Sequence, residues 1–262
     1  MACRDKTWLG HPREIADVSG VEGKSLLRGR LEEVIDLGAG FWIWRVRHPY
    51  WKPSDDWDPV VTTTVVKSRG EVFVIDPIAP DDAAKIVWER LDVDPPTQLV
   101  VVKPDHVRDV DWFADRYGAT AWGPGLVDPT DIPSTRLSPI YPGTELPGGI
   151  VALNAGRWGV ETPLWLPDQQ TLVFADALTE RNGGLRIWST PWDEAGPRHA
   201  LGRLLRLPFK WVIISHGFPV HGRQAYVRAL KWDPWMSDEL KEWAQTIEPY
   251  RKLLGLQNWP TE

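Results

Sequence analysis

From residue 31 onward the sequence is built of runs that alternate or stay apolar throughout: VIDLG (34–38), FWIWRVRH (41–48) and VVTTTVVKSRGEVFVIDP (60–77). Such runs read as strands. Ser68-Arg69-Gly70 parts two β-rich stretches and predicts a hairpin, and Asp76-Pro77 closes its second strand. DDAAKIVWERL (81–91) then spaces Ala84, Ile86, Val87 and Leu91 as a helix does, with acids at the positive end of its dipole. TQLVVVKP (97–104) reads as a compact strand, and HVRDVDWFADRY (106–117) as a helix ended by Gly118. ATAWGPG (119–125) follows as a short strand, so strand and helix alternate, which implies sheets with at least one helix-covered face.

A proline-rich span over 123–149 lies between β-like runs and reads as a loop within one fold rather than a linker. LWLP and TLVFAD, joined by Asp168-Gln169-Gln170, predict a second hairpin. RHALGRLLRLP supplies a basic helix, FKWVIISHG a buried strand, and GRQAYVRALKW a further helix. The tail from Ser237 predicts an amphipathic helix with Leu240, Trp243, Ile247 and Tyr250 on one side. Trp235, Trp243 and Tyr250 there either pack on the parent domain or make a homodimer contact. Residues 1–29 read as an irregular arm, and 30–262 as one domain that includes the C-terminal helix.

With 262 residues the chain is long enough for a real core, and 42% hydrophobic and 25% charged residues are ordinary for a globular protein. A formal charge of −6 argues against nucleic-acid binding through a basic surface. A single cysteine, Cys3, excludes an internal disulfide or a multi-thiolate metal site and fits a reducing compartment. The N-terminus has no apolar stretch resembling a signal peptide, and no apolar run is long enough to span a membrane, so the expected location is cytoplasmic. No phosphate-binding loop, dinucleotide fingerprint or GxSxG elbow occurs, and Ser215 directly before His216 is not a triad.

Polar groups stand where apolar strands stop: Asp105, His106 and Asp109 after LVVV, Asp176 after TLVFA, and His216-Gly217 after WVIIS. Strand ends present binding groups because the sheet fixes the backbone while the loops stay open. Imidazoles and carboxylates on three such ends could meet as ligands of zinc, iron or manganese. The same residues also suit ordinary turn and helix caps, with Arg108 pairing Asp105 or an acid on a neighbouring helix.

Taken in order, VFVIDP, LVVVKPDHVRDVDWFADRYGATAWGP, ETPLWLPDQQTLVFADAL and WVIISHGFPVHG resemble the metallo-β-lactamase-like hydrolase superfamily over about residues 30–231. The resemblance implies an α+β fold, a four-layer αββα sandwich of two mixed β-sheets with the site at one edge between them. It lays the family's His-x-His-x-Asp-His motif on Pro104, Asp105, His106, Val107, Arg108 and Asp109, so only its second histidine survives. A further family histidine is expected before ETPLWLP, yet Arg157-Trp158-Gly159-Val160-Glu161 contains none. The bridging aspartate matches Asp176 and the final histidine His216, so the dinuclear site is broken.

Two arrangements follow from the resemblance. In one, Asp109, Asp176 and His216 hold a single zinc, iron or manganese ion, with His106 as fourth ligand or proton shuttle and Glu161 as a further ligand or base. A divergent hydrolase of an unknown small molecule results. In the other, Arg108 fills the lost metal position and pairs with Asp176 or Asp109, leaving a metal-free cleft that binds a small molecule or a partner. His221 is placed at the cleft entrance, and Trp122, Trp158, Trp188 and Trp192 in or beside the site loops, as a candidate aromatic wall.

Overall fold

A computed structural model describes residues 28–129, 131–156, 161–189, 196–238, 241, 242 and 245. In chain order the elements are β1 (Arg30–Gly38), β2 (Phe41–Arg47), β3 (Val60–Ser68), β4 (Glu71–Ile75), α1 (Lys85–Val93), β5 (Gln98–Val100), α2 (Val110–Tyr117), β6 (Thr120–Pro124) and β7 (Ser138–Ile140). They continue with β8 (Val151–Ala152), β9 (Leu164–Leu166), β10 (Thr171–Val173), β11 (Leu178–Arg181), β12 (Gly184–Ile187), α3 (Gly196–Arg203), β13 (Trp211–Ile213), β14 (Val220–His221) and α4 (Arg223–Lys231).

Strands β1 to β7 form one sheet in sequence order, antiparallel as far as β4 and parallel from β4 to β7. The second sheet runs β14-β13-β10-β9-β8, with β10 and β13 parallel and the other pairs antiparallel. A β11-β12 hairpin stands apart from both. Both predicted hairpins form: Ser68 pairs with Glu71 across Arg69 and Gly70, whose positive φ angles of 49° and 91° suit a two-residue reversal, and Leu166 pairs with Thr171. The proline-rich span carries β7, which pairs with β6 at the edge of the first sheet.

Side-chain alternation sets the layers. In β4, Val72 and Val74 face α1 and α2 beside Val87, Leu91, Val110 and Phe113, while Phe73 and Ile75 face the second sheet. In and just after β10, Val173 and Ala175 meet Phe73 and Ile75 in the same intersheet core, while Leu172 and Phe174 turn outward to Leu201, Leu204, Tyr226 and Ala229 around α3 and α4. Burial on both faces is the reason these strands read as continuous apolar runs. The result is an αββα sandwich of two mixed sheets.

Two helices begin later than their spacing suggests. The first starts at Lys85 rather than residue 81, because Asp81 is held in a turn: its Oδ1 accepts the Ala83 N–H at 3.1 Å and its carbonyl the Trp88 indole N–H at 3.0 Å. No acid then lies in the first turn. The second starts at Val110 rather than residue 106, since Arg108 has a left-handed φ of 47° that an α-helix does not admit. Its C-terminus is as expected, with Gly118 at φ 65° donating to the Ala114 carbonyl.

Among the described residues no helix is long and apolar enough to cross a membrane. Trp235 packs on its own domain, its ring 5.2 Å from that of Trp188 and its amide bonded to the Ile187 carbonyl. Cys3 and the arm up to residue 27 lie outside the described residues, as do Trp158, Trp192, Leu240, Trp243, Ile247 and Tyr250.

Phe73 is fully buried between the sheets, so Phe73→Ala should lower unfolding free energy by about 3–5 kcal/mol in urea denaturation. Val93→Ala, at a side chain 86% exposed, should change it by no more than about 0.5 kcal/mol.

Candidate metal centre

Four strand ends converge at one edge of the sandwich: β4 leads into Asp76, β5 into Lys103 to Asp109, β10 into Asp176, and β13 into Ser215 and His216. The β4-β5 and β10-β13 pairings are both parallel, so within each sheet these ends share an edge. Gly217 completes the last turn at φ 146°, and a methyl group there would stand 2.5 Å from Ile214 Cδ1 and 2.6 Å from Glu180 Cβ. Only glycine fits beside His216.

His106, Asp176 and His216 are all buried, and one ligand atom from each lies within 4.8 Å of the others. Asp176 Oδ2 is 3.6 Å from His106 Nε2, and Asp176 Oδ1 is 3.4 Å from His216 Nε2. Each ring is oriented from behind. His106 Nδ1 meets Asp76 Oδ2 at 2.8 Å, and Asp76 is itself fixed by accepting the Val102 N–H on its other oxygen at 2.9 Å. His216 Nδ1 lies 3.3 Å from the Asp58 carbonyl, which only accepts, so the proton belongs on Nδ1 and Nε2 faces the cluster. Trp57 covers the same ring, 5.4 Å away at 62°.

Asp176 is held by two further groups. Lys103 Nζ contacts its Oδ2 at 2.6 Å and also Asp105 Oδ2 at 2.6 Å. Glu161, buried behind it, accepts the backbone N–H groups of Ala175, Asp176 and Ala177 at 2.9, 2.9 and 2.6 Å, fixing the turn that aims the aspartate. Asp176 Oδ1 remains buried without a hydrogen bond. A buried carboxylate oxygen lacking a donor, set against imidazole Nε2 atoms, fits a divalent cation. The three ligands are two nitrogens and one oxygen, the donor set of zinc, iron or manganese, and three protein ligands leave a position open.

Charges at the site are strongly coupled. Burial acts to protonate Asp176, but Lys103 first, then His106, outweigh it and hold the carboxyl well below its usual range. Burial and Arg108 lower His106, yet Asp76 and Asp176 prevail and raise it to about 9, whereas burial takes His216 down to about 4. Burial, reinforced by the Asp176 charge, pushes Glu161 up to about 7 against its three amide donors.

Not every predicted site residue joins this cluster. Asp109, expected as a ligand, directs its carboxylate to the Ala79 N–H at 2.6 Å and pins the segment after β4. Arg108 does not pair with Asp176 or Asp109. Its Nη2 donates to Ser215 Oγ at 3.1 Å and lies 3.4 Å from His106 Nε2, and Nη1 donates to the Asp76 carbonyl at 3.4 Å. The cation that pairs with Asp176 is Lys103. His221 sits exposed on β14 with its ring 4.5 Å from Trp211, Trp188 meets Trp235 edge to face, and Trp122 donates to Gln98 Oε1 at 2.8 Å. Sequence reasoning missed Lys103, Asp76 and Trp57 as site residues. Asp76 had a visible signal, an acid at the end of an apolar strand like Asp176, while Lys103 before proline looks like any solvated strand end.

No protein-family model and no curated protein matches the sequence. Solved structures match the fold. A metallo-β-lactamase family protein from Thermus thermophilus superposes with a TM-score of 0.54 at 18% identity, covering 84% of this chain and 84% of that one. A metallo-β-lactamase from Pseudomonas aeruginosa in its mono-zinc form gives 0.57 at 15% identity over 78% and 95%. One from Pontibacter korlensis gives 0.55 at 16% identity over 78% and 100%. The chain has a metallo-β-lactamase-like fold, with a divergent cluster of His106, Asp176 and His216 at the edge between its sheets.

Proposed function

We propose that this chain is a divergent hydrolase that works with a single divalent metal ion held by His106, Asp176 and His216. The observation that carries this reading is Asp176 Oδ1, buried without a donor and flanked by an imidazole Nε2. When bound, such an ion supplies Lewis-acid polarisation of a carbonyl or phosphoryl oxygen and acidifies water. The chain's residues do the rest. Asp76 and the Asp58 carbonyl fix the two rings with Nε2 toward the ligand position, Glu161 holds the Asp176 turn, and Lys103 keeps Asp176 ionised while taking only one of its oxygens. The mono-zinc form of the Pseudomonas aeruginosa neighbour supports single-ion occupancy of this fold.

A second reading is favoured by Lys103 and Arg108, two cations beside the same cluster. In it the cleft is metal-free and binds a small molecule or a protein partner, with Lys103 standing where a metal would neutralise Asp176.

Elemental analysis separates the two. Protein purified without chelator or a metal-affinity column should carry about one equivalent of zinc, iron or manganese, and Asp176→Ala should carry none while circular dichroism shows it folded. No metal in the wild type, and no uptake after addition, would sink the metal-dependent hydrolase and leave the metal-free cleft. Asp76→Asn keeps all three ligands but loses the carboxylate behind His106, so zinc affinity measured by competition with a chelating dye should fall about 10–100-fold.

A further inference from the structure

Arg108 has a place in this cluster that the metal reading leaves unused. Five non-glycine residues among those described have positive φ, and three of them, Arg69, Gln170 and Asn182, sit in the hairpins β3-β4, β9-β10 and β11-β12. The other two are Asp76 and Arg108, both at the cluster. Backbone held in such a region persists where the surrounding structure enforces it.

The charges of the two cations are met differently. Lys103 has carboxylate oxygens of Asp105 and Asp176 at 2.6 Å each. Arg108 donates to the Ser215 hydroxyl at 3.1 Å and the Asp76 carbonyl at 3.4 Å and lies 3.4 Å from His106 Nε2; among the described residues no carboxylate oxygen is hydrogen-bonded to it, and Asp109 acts on it through its charge alone. Its side chain is half-buried. A guanidinium is a planar fork of five donors that matches carboxylate and phosphate geometry. With a divalent ion on His106 Nε2, a second cation would stand beside it in a site of low dielectric, and an oxyanion between the two turns that repulsion into attraction to both.

We propose that Arg108 binds an oxyanion of the ligand, so that the molecules taken by this cleft carry a carboxylate or a phosphate next to the group presented to the cluster. The placement rests on reading His106, Asp176 and His216 as the functional centre.

The test is calorimetric titration with inorganic phosphate and, separately, acetate at fixed ionic strength, on zinc-loaded and metal-free wild type, Arg108→Met and Arg108→Lys. Zinc content is measured on the same samples. The expected result is saturable binding of at least one anion by the wild type, weakened tenfold or more in Arg108→Met with zinc content unchanged, and intermediate in Arg108→Lys, which keeps the charge and loses the fork. The anion bound more tightly identifies the ligand class. Equal binding by wild type and Arg108→Met, or none by the wild type in either form, overturns the proposal. Failure of the wild type to hold zinc would overturn the metal reading alone, and Arg108-dependent anion binding in the metal-free samples would still sustain the oxyanion site.

Discussion

Burial of both faces of the central strands of the two sheets leaves few places between the layers for a charge except the ends of those strands. Phe73 and Ile75 point into the space between the sheets while Val72 and Val74 point into the helix layer, and the strand from Thr171 divides its side chains in the same way. With the strands that lead into the site, β4, β5, β10 and β13, buried and largely apolar, Asp76, Lys103, Asp176 and His216 all fall in the residues that follow a strand. Because the strands concerned pair in parallel within each sheet, those ends collect along one edge. The site is a consequence of how the sheets are packed.

What happens at that edge is governed by charge compensation around Asp176. A buried carboxylate requires partners, and this one has an ammonium on one oxygen and imidazoles facing it. Glu161, which stands where the resemblance calls for a histidine ligand, is turned to three backbone amides instead and holds the aspartate's turn in place. Arg108, where the resemblance calls for a ligand carboxylate, brings a positive charge to within 3.4 Å of His106 Nε2. Both replacements act in one direction. They take ligands away from a dinuclear centre and leave three donors, enough for one ion.

Most of the layer structure was legible in the sequence. Period-two and continuous apolar runs located the strands, the Arg69-Gly70 turn and the Asp168-Gln169-Gln170 turn located two hairpins, and Gly118 marked the end of its helix. The helix starts were less legible, because Asp81 and Arg108 act through local hydrogen bonding and a left-handed backbone that apolar spacing does not report. Of the residues singled out for their places at strand ends, His106, Asp176 and His216 come together in the fold. Asp109 has the same residue type and a similar place but serves the Ala79 amide.

By itself the sequence determined most of the long strands and which polar residues end them, because hydrophobic periodicity and turn chemistry are local properties, but it did not determine β7 or the β11-β12 hairpin. The tertiary structure alone decided that Lys103 rather than Arg108 neutralises Asp176, that Asp76 rather than Asp109 stands behind His106, and that Trp57 and Asp58 cover His216 from a distant loop of the chain. Those choices depend on the directions in which side chains leave four separate strand ends. Directions of that kind are fixed by the packing of one sheet against the other and by single backbone angles at Asp76 and Arg108, which no pattern of residue types encodes.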